Sequence, residues 1–214
     1  MTTPVLRDGS VTIRPIKLRD ARVLERELQQ NRAWLRQWEA TNPHGPVGFD
    51  TRASIRSLQS NARGGAGLPF AIEVDGQFAG QLNVSGIAYG SLSSASIGYW
   101  VAERFAGRGV TPTAVALATD HCFFSMGLHR MEICIRPENE PSLRVVEKLG
   151  FRYEGLRRRY IHINGDWRDH FCFALTVEEL PQGVLRRWKD GRVPAHGAVP
   201  QADRDAARRP LRLG

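Results

Sequence analysis

The tightest constraint on this chain lies in residues 97–113. An apolar run, Ile97-Gly98-Tyr99-Trp100-Val101, gives way to Ala106-Gly107-Arg108-Gly109, and a helical run opens directly after it at Val110. Glycines let the backbone turn sharply and approach a ligand closely. Pro112 falls in the first helical turn, where a missing N–H costs nothing. The first amides of a helix have no internal acceptor, and the helix dipole leaves about half a positive charge there. Strand, glycine turn and helix in that order predict a backbone cradle for a phosphate or diphosphate. Two familiar cradles are excluded. The chain has no Gly-Lys pair for a P-loop, and Pro112 stands where a dinucleotide fingerprint needs its third glycine. The plain structural alternative is a tight turn with a good helix start.

A second segment follows the same logic. Arg130 to Arg136 reads as a strand, and Asn139 to Leu149 as a helix ended by Gly150. Asn139 is a good N-cap, and Ser142 stands on the first turn. Upstream, Val11 to Ile13 reads as a strand and Asp20 as the cap of a helix carrying Val23, Leu24 and Leu28. Asn31 is read as the cap of a further helical piece with Trp34, Leu35 and Trp38. The segment Thr41 to Asp50 is a loop, and Thr51 to Arg63 is helical. Leu68 to Val74 and Phe78 to Val84 form a hairpin about Asp75-Gly76. Ser96 to Val101 is a strand and Val110 to Met126 a helix. Phe151 to Arg159 and Trp167 to Thr176 form a hairpin about Asn164-Gly165, and Glu178 to Trp188 is a short helix. This order predicts an α/β or α+β fold about a mixed sheet. Residues 1–190 form one domain. Residues 191–214 are a basic, Pro/Ala/Arg-rich tail, with little order expected from Val193 onward.

Charge and composition narrow the function classes. The 214 residues carry a net charge of +8, and five of those charges sit in residues 186–214. A body so close to neutral is not a dedicated nucleic-acid-binding domain, although the basic tail can hold the chain near a polyanion such as a ribosome. No apolar stretch reaches the roughly 18 residues of a membrane helix. Met1-Thr2-Thr3-Pro4 has neither the basic start nor the apolar core of a secretory signal, which gives a cytoplasmic expectation. Cys122, Cys134 and Cys172 are too few for a disulfide framework. Neither they nor the six histidines show metal-ligand spacing, so no metal is expected.

Taken together, these motifs resemble the GNAT (Gcn5-related) N-acetyltransferase superfamily, and within it the RimJ/RimL type that acetylates ribosomal-protein N-termini. The resemblance is carried over residues 10–180 by Val11-Thr12-Ile13-Arg14-Pro15, Ile97 to Val101, Gly107-Arg108-Gly109-Val110-Thr111 and Asn139 to Ser142. Further on it is carried by Glu147-Lys148-Leu149-Gly150-Phe151, Glu154-Gly155 and Asn164-Gly165-Asp166-Trp167. It implies a mostly antiparallel sheet whose middle strands splay around acetyl-CoA. The pyrophosphate loop would fall on Ala106, Gly107, Arg108, Gly109, Val110 and Thr111. Ala106 and Thr111 depart from the family pattern there, which has a long polar and a small residue. Backbone groups of Trp100 and Val101 would bind the pantetheine arm and polarise the thioester carbonyl. Asn139 would hydrogen-bond the pantetheine, and Ser142 would protonate the departing thiolate. The implied acceptor is the α-amine of a protein N-terminus, such as that of a ribosomal protein. Two rivals stand beside it: a small-molecule amine acyltransferase and a non-catalytic acetyl-CoA-binding module. The oligomeric state is left open, a dimer being compatible.

No carboxylate base is inherited. Ile161 and Ser96 occupy the two positions where family members carry an acid. An α-amine, with a pKa of about 8 against about 10.4 for lysine, is already partly neutral near pH 7, so a water chain can suffice. Glu154, His162, Asp166 and Asp169 are either substrate orienters or solvated hairpin residues. The stripe Trp34, Leu35 and Trp38 is either core or an aromatic lip for a peptide. Arg157-Arg158-Arg159 is either a solvated run or a partner for anionic groups.

Overall fold

Strands buried on alternate positions, and others buried along nearly their whole length, build one mixed sheet with helices on its two faces. The computed structural model describes residues 3–45, 50–194 and 199–209. The strands are β1 (Leu6–Asp8), β2 (Val11–Pro15), β3 (Gly67–Val74), β4 (Gln77–Ala88), β5 (Ser94–Val101), β6 (Arg130–Ile135), β7 (Arg152–Ile163) and β8 (Asp166–Thr176). Their order is β1-β2-β3-β4-β5-β6-β8-β7. Every pairing is antiparallel except β5 with β6. This is the α/β fold about a mixed sheet that the element order predicts, mostly antiparallel as the family resemblance implies.

Helices α1 (Ala21–Gln30), α2 (Arg32–Leu35) and α3 (Thr51–Arg63) pair with one face of the sheet. Leu24 and Ile55 bury against Ala71 and Phe78 there. On the other face lie α4 (Val110–Phe124), α5 (Glu140–Leu149) and α6 (Val184–Lys189). Helix α4 is buried on nearly every side, from Val110 through Thr119. It therefore lacks the one-sided apolar stripe of a surface helix. Its neighbours explain this, for it packs between the sheet and helices α5 and α6.

Several expectations are corrected. Strand β1 was not anticipated. Asp20 does not cap α1. Its carboxylate instead accepts from Lys17 N at 2.8 Å and from the Arg14 guanidinium at 2.7 Å. Asn31 does not cap α2 either. Its side chain donates to Glu27 O and accepts from Glu103 N, which ties α1 to the turn after β5. The helix expected over Glu178 to Trp188 is divided. A 3-10 turn at Val177–Glu179 ends before Pro181, and Asp120 restarts the helix by accepting from Val184 N and Leu185 N. The tail is also more structured than its composition suggests. Gln201–Arg208 forms helix α7 against β7, where Tyr153 donates to Asp203 at 2.7 Å and Arg158 donates to the Arg209 carbonyl. Part of the expected loop, residues 46–49, and the tail residues 195–198 and 210–214 lie outside the described residues.

Candidate active site

The parallel pairing of β5 with β6 makes the site. Strands β5 and β6 are in register only from Ser94–Arg130 to Ser96–Glu132. Beyond that point Ile97 to Val101 runs on with β4 alone, and Ile133 to Ile135 with β8 alone. A wedge opens between two strands of one sheet. At its wide end lies a cleft of about 170 Å³. It is bounded by β5, the loop 105–109, the start of α4, the start of α5, and the tryptophans Trp34 and Trp38.

The glycine turn takes the conformation its composition allows. Gly107 has φ +74° and Gly109 φ +77°, and a Cβ on Gly107 would meet nothing within 4 Å. Such φ values are strained for any residue with a Cβ. The first backbone hydrogen bond into α4 runs from Thr113 N to Gly109 O. Among the described residues, the amides of Gly107, Arg108, Gly109, Val110 and Thr111 find no backbone acceptor. Five free donors at a helix start, beside open space, fit the diphosphate of a coenzyme A. Arg108, at the turn, stacks its guanidinium 5.6 Å from the Phe105 ring centroid. Arg144 and Lys148 on α5 also line the cleft. These two cations were not singled out in the sequence. Only the placing of α5 beside the glycine turn brings them to this cleft.

The backbone of β5 sorts its own residues. In an antiparallel ladder, successive residues aim their N–H and C=O to opposite sides. Ala102 N donates to Ala79 O on β4. The Trp100 carbonyl points the same way, so closely that a Cβ on Gly80 would fall 2.1 Å from its oxygen. The peptide groups of Trp100 are thus spent on β4, and the expectation that they serve the cleft is corrected. Those of Tyr99 and Val101 face the wedge. The Val101 carbonyl is taken by the Trp34 indole, which donates from Nε1 at 3.2 Å. The Val101 amide remains for a ligand. Trp100 borders the cleft but packs its ring toward Phe78, at 6.3 Å between centroids.

Asn139 caps α5, accepting from Ser142 N at 3.2 Å. Ser142 also receives a contact that the sequence did not flag. Its Oγ lies 2.7 Å from the Tyr99 hydroxyl. Burial raises the Tyr99 pKa, and the Ser142 hydrogen bond offsets that only in part. The phenol therefore stays protonated. In the sequence Tyr99 stands within the motif Ile97 to Val101 with no task of its own. Its partner lies 43 positions away, and the crossover of α4 and β6 joins them.

Of the sequence-singled residues, Trp100, Val101, Ala106, Gly107, Gly109, Val110, Thr111, Asn139 and Ser142 all line this one cleft. Arg108 stands at its rim. Leu35 is buried, whereas Trp34 and Trp38 face the cleft, so the stripe serves core and lip together. The four candidate orienters are engaged elsewhere. Glu154 pairs with Arg130 and Arg152, Asp169 with Arg158, Asp166 with Arg168, and His162 with Thr41. Among the described residues, no group of three His, Cys, Asp or Glu side chains could hold a metal ion.

A family model described as "Acetyltransferase (GNAT) domain" matches residues 10–152, well over half of the chain. The chain belongs to the GNAT acetyltransferase family. This GNAT enzyme is an N-acetyltransferase that takes its acetyl group from acetyl-CoA. It is 30% identical over 174 residues to the probable N-acetyltransferase YjcK of Bacillus subtilis, covering 80% of this chain and 96% of that protein. It is 26% identical to the ribosomal protein uS5-alanine N-acetyltransferase of Escherichia coli, covering 83% of this chain and 93% of that protein. Among solved structures, Mycobacterium smegmatis RimJ in complex with CoA-disulfide superposes with a TM-score of 0.79 at 39% identity. That match covers 87% of this chain and 91% of RimJ.

Proposed function

We propose that this GNAT enzyme acetylates the α-amine of a protein N-terminus, that of a ribosomal protein. The observation that carries the reading is the likeness to RimJ across most of both chains, together with the named uS5-alanine activity of a relative of similar extent. The catalytic unit in this reading is residues 1–190, and the basic tail beyond it favours association with the polyanionic ribosome.

The residues have separable tasks. When bound, acetyl-CoA supplies an acetyl group held as a thioester. The amides of residues 107–111 hold its diphosphate, aided by the charges of Arg108, Arg144 and Lys148. The Asn139 side chain orients the pantetheine arm. The Val101 N–H, held in place by Trp34 on its own carbonyl, meets the negative charge that grows on the carbonyl oxygen. Holding amine and thioester together replaces a bimolecular encounter by a local one. Ser142, at the start of α5 where negative charge is favoured, gives its proton to the departing sulfur. No carboxylate takes the amine proton in this reading. An acceptor with a pKa of about 8 is already partly neutral before attack, and the proton its nitrogen loses as the amide forms passes to water. The two tryptophans give the cleft a flat apolar lip suited to the first residues of a peptide.

The test is incubation with acetyl-CoA and a panel of synthetic peptides that copy ribosomal-protein N-termini. CoA release and a mass increase of one acetyl group on the α-amine are expected. Transfer to lysine side chains or small amines, with none to any α-amine, overturns the assignment.

A further inference from the structure

We propose that Tyr99 is a positioning residue for Ser142: its phenol donates to the serine oxygen and leaves the serine proton turned toward the leaving sulfur. The proposal deepens the role given to Ser142 above and rests on it.

The geometry begins with the two strand faces of β5. Tyr99 shares the α5 side with Ile97 and Val101 and packs against the main core cluster. Its hydroxyl reaches Ser142 Oγ at 2.7 Å, and the described residues offer it no second hydrogen-bond partner. Tyr99 is half-buried at the cleft, and its phenol is the more acidic of the two hydroxyls and the better donor, so the Tyr99 proton goes to Ser142. The surroundings of Ser142 fix the other half. A serine near a helix start commonly turns its proton onto a carbonyl of the preceding turn. Here the Asn139 carbonyl already accepts from Ser142 N and Leu143 N, both at 3.0 Å. With Tyr99 filling one lone pair of Oγ, the remaining direction for the serine proton is the cleft that Val101 and Asn139 also line.

The chemistry balances without Tyr99 losing its proton. The Ser142 O–H bond breaks as an S–H bond forms on the leaving thiolate. Water in the cleft then restores the serine proton. The acceptor amine releases the matching proton to solvent. Burial keeps the phenol protonated throughout, so Tyr99 acts by direction and not by transfer.

The experiment is a double-mutant cycle on the full chain, read as the single-turnover rate of acetyl transfer to an N-terminal peptide. Tyr99→Phe should slow that rate about tenfold, the size of one directing hydrogen bond. The KM for acetyl-CoA should stay within about twofold, which separates direction from binding. Ser142→Ala should slow it at least as much, and Tyr99→Phe should have no further effect in the Ser142→Ala background. A further loss of the same size in that background means a merely structural role and overturns the proposal. A rate unchanged by Tyr99→Phe overturns it too. If Ser142→Ala alone has no effect, the role assigned to Ser142 falls first, and the two failures are thereby distinguished. Should Tyr99→Phe fold poorly, difluorotyrosine at position 99 keeps the size and lowers the phenol pKa. Its phenolate would draw the serine proton back from the cleft, so a new loss of rate at alkaline pH is expected. An unchanged alkaline limb refutes the proposal.

Discussion

Gly107→Ala separates backbone strain from ligand contact at the glycine turn. Gly107 has φ +74°, and a Cβ there touches nothing within 4 Å. No steric clash is introduced, so the cost is conformational. A residue with a Cβ in left-handed backbone costs about 1–2 kcal/mol. For a domain of this size, each kcal/mol moves Tm by about 2–4 °C, so a fall of about 2–8 °C is expected. If the turn instead relaxes out of that conformation, the amides of residues 107–109 rotate away from the diphosphate. One lost hydrogen bond to a charged group is worth about 1.5–3 kcal/mol, or about 10- to 150-fold in Kd. Calorimetric titration with CoA and with pantetheine, which has no diphosphate, divides the two effects. CoA affinity should fall by that factor, whereas pantetheine affinity should hardly change. An equal loss of affinity for CoA and for pantetheine would refute the cradle.

Three further outcomes are expected. Gly80→Ala puts a Cβ 2.1 Å from the Trp100 oxygen and 2.8 Å from the Val101 Cα, both backbone atoms that cannot swing aside. Strands β4 and β5 must part, so a loss of about 2–4 kcal/mol is expected by thermal melting, and a Tm change under about 2 °C contradicts it. Trp34→Phe keeps a ring but removes the donor to Val101 O. A fall of about five- to tenfold in kcat/KM with CoA affinity intact is expected, and equal kcat/KM in the two enzymes contradicts it. His170 is 3% exposed, and burial lowers its pKa below the ordinary histidine value. The folded state thus prefers the neutral ring, its stability being full above an unfolded pKa of about 6.5 and falling below it. That loss is bounded at about 1.4 kcal/mol per pH unit. Between pH 7.5 and 5, His170→Gln should lose less Tm than the native chain, and parallel curves would contradict the assignment.

The recognisable parts of this protein are those whose chemistry is local. Gly107 and Gly109 signal left-handed backbone whatever surrounds them, Asn139 announces a helix start, and Asp75-Gly76 and Asn164-Gly165 announce hairpins. Asp20 and Asn31 looked like caps for the same local reason. Other partners engage them: the Arg14 guanidinium and Lys17 N, both within six positions, take up Asp20, and Glu27 O together with the distant Glu103 N takes up Asn31. The tail shows the converse. Its composition argued for little order, yet α7 forms because Tyr153 and Arg158 on β7 supply partners that no local pattern reveals.

The sequence by itself determined the kinds of element, the left-handed glycine turn and the capped serine helix, since each depends on residues within a few positions of one another. Only the tertiary structure decided which face of β5 looks into the wedge. It also seated Trp34 on the Val101 carbonyl and set Tyr99 against Ser142. Those facts depend on strand register and on a crossover through α4. Register is fixed by burial across the whole sheet, and shifting it by one residue exchanges every inward group for its neighbour.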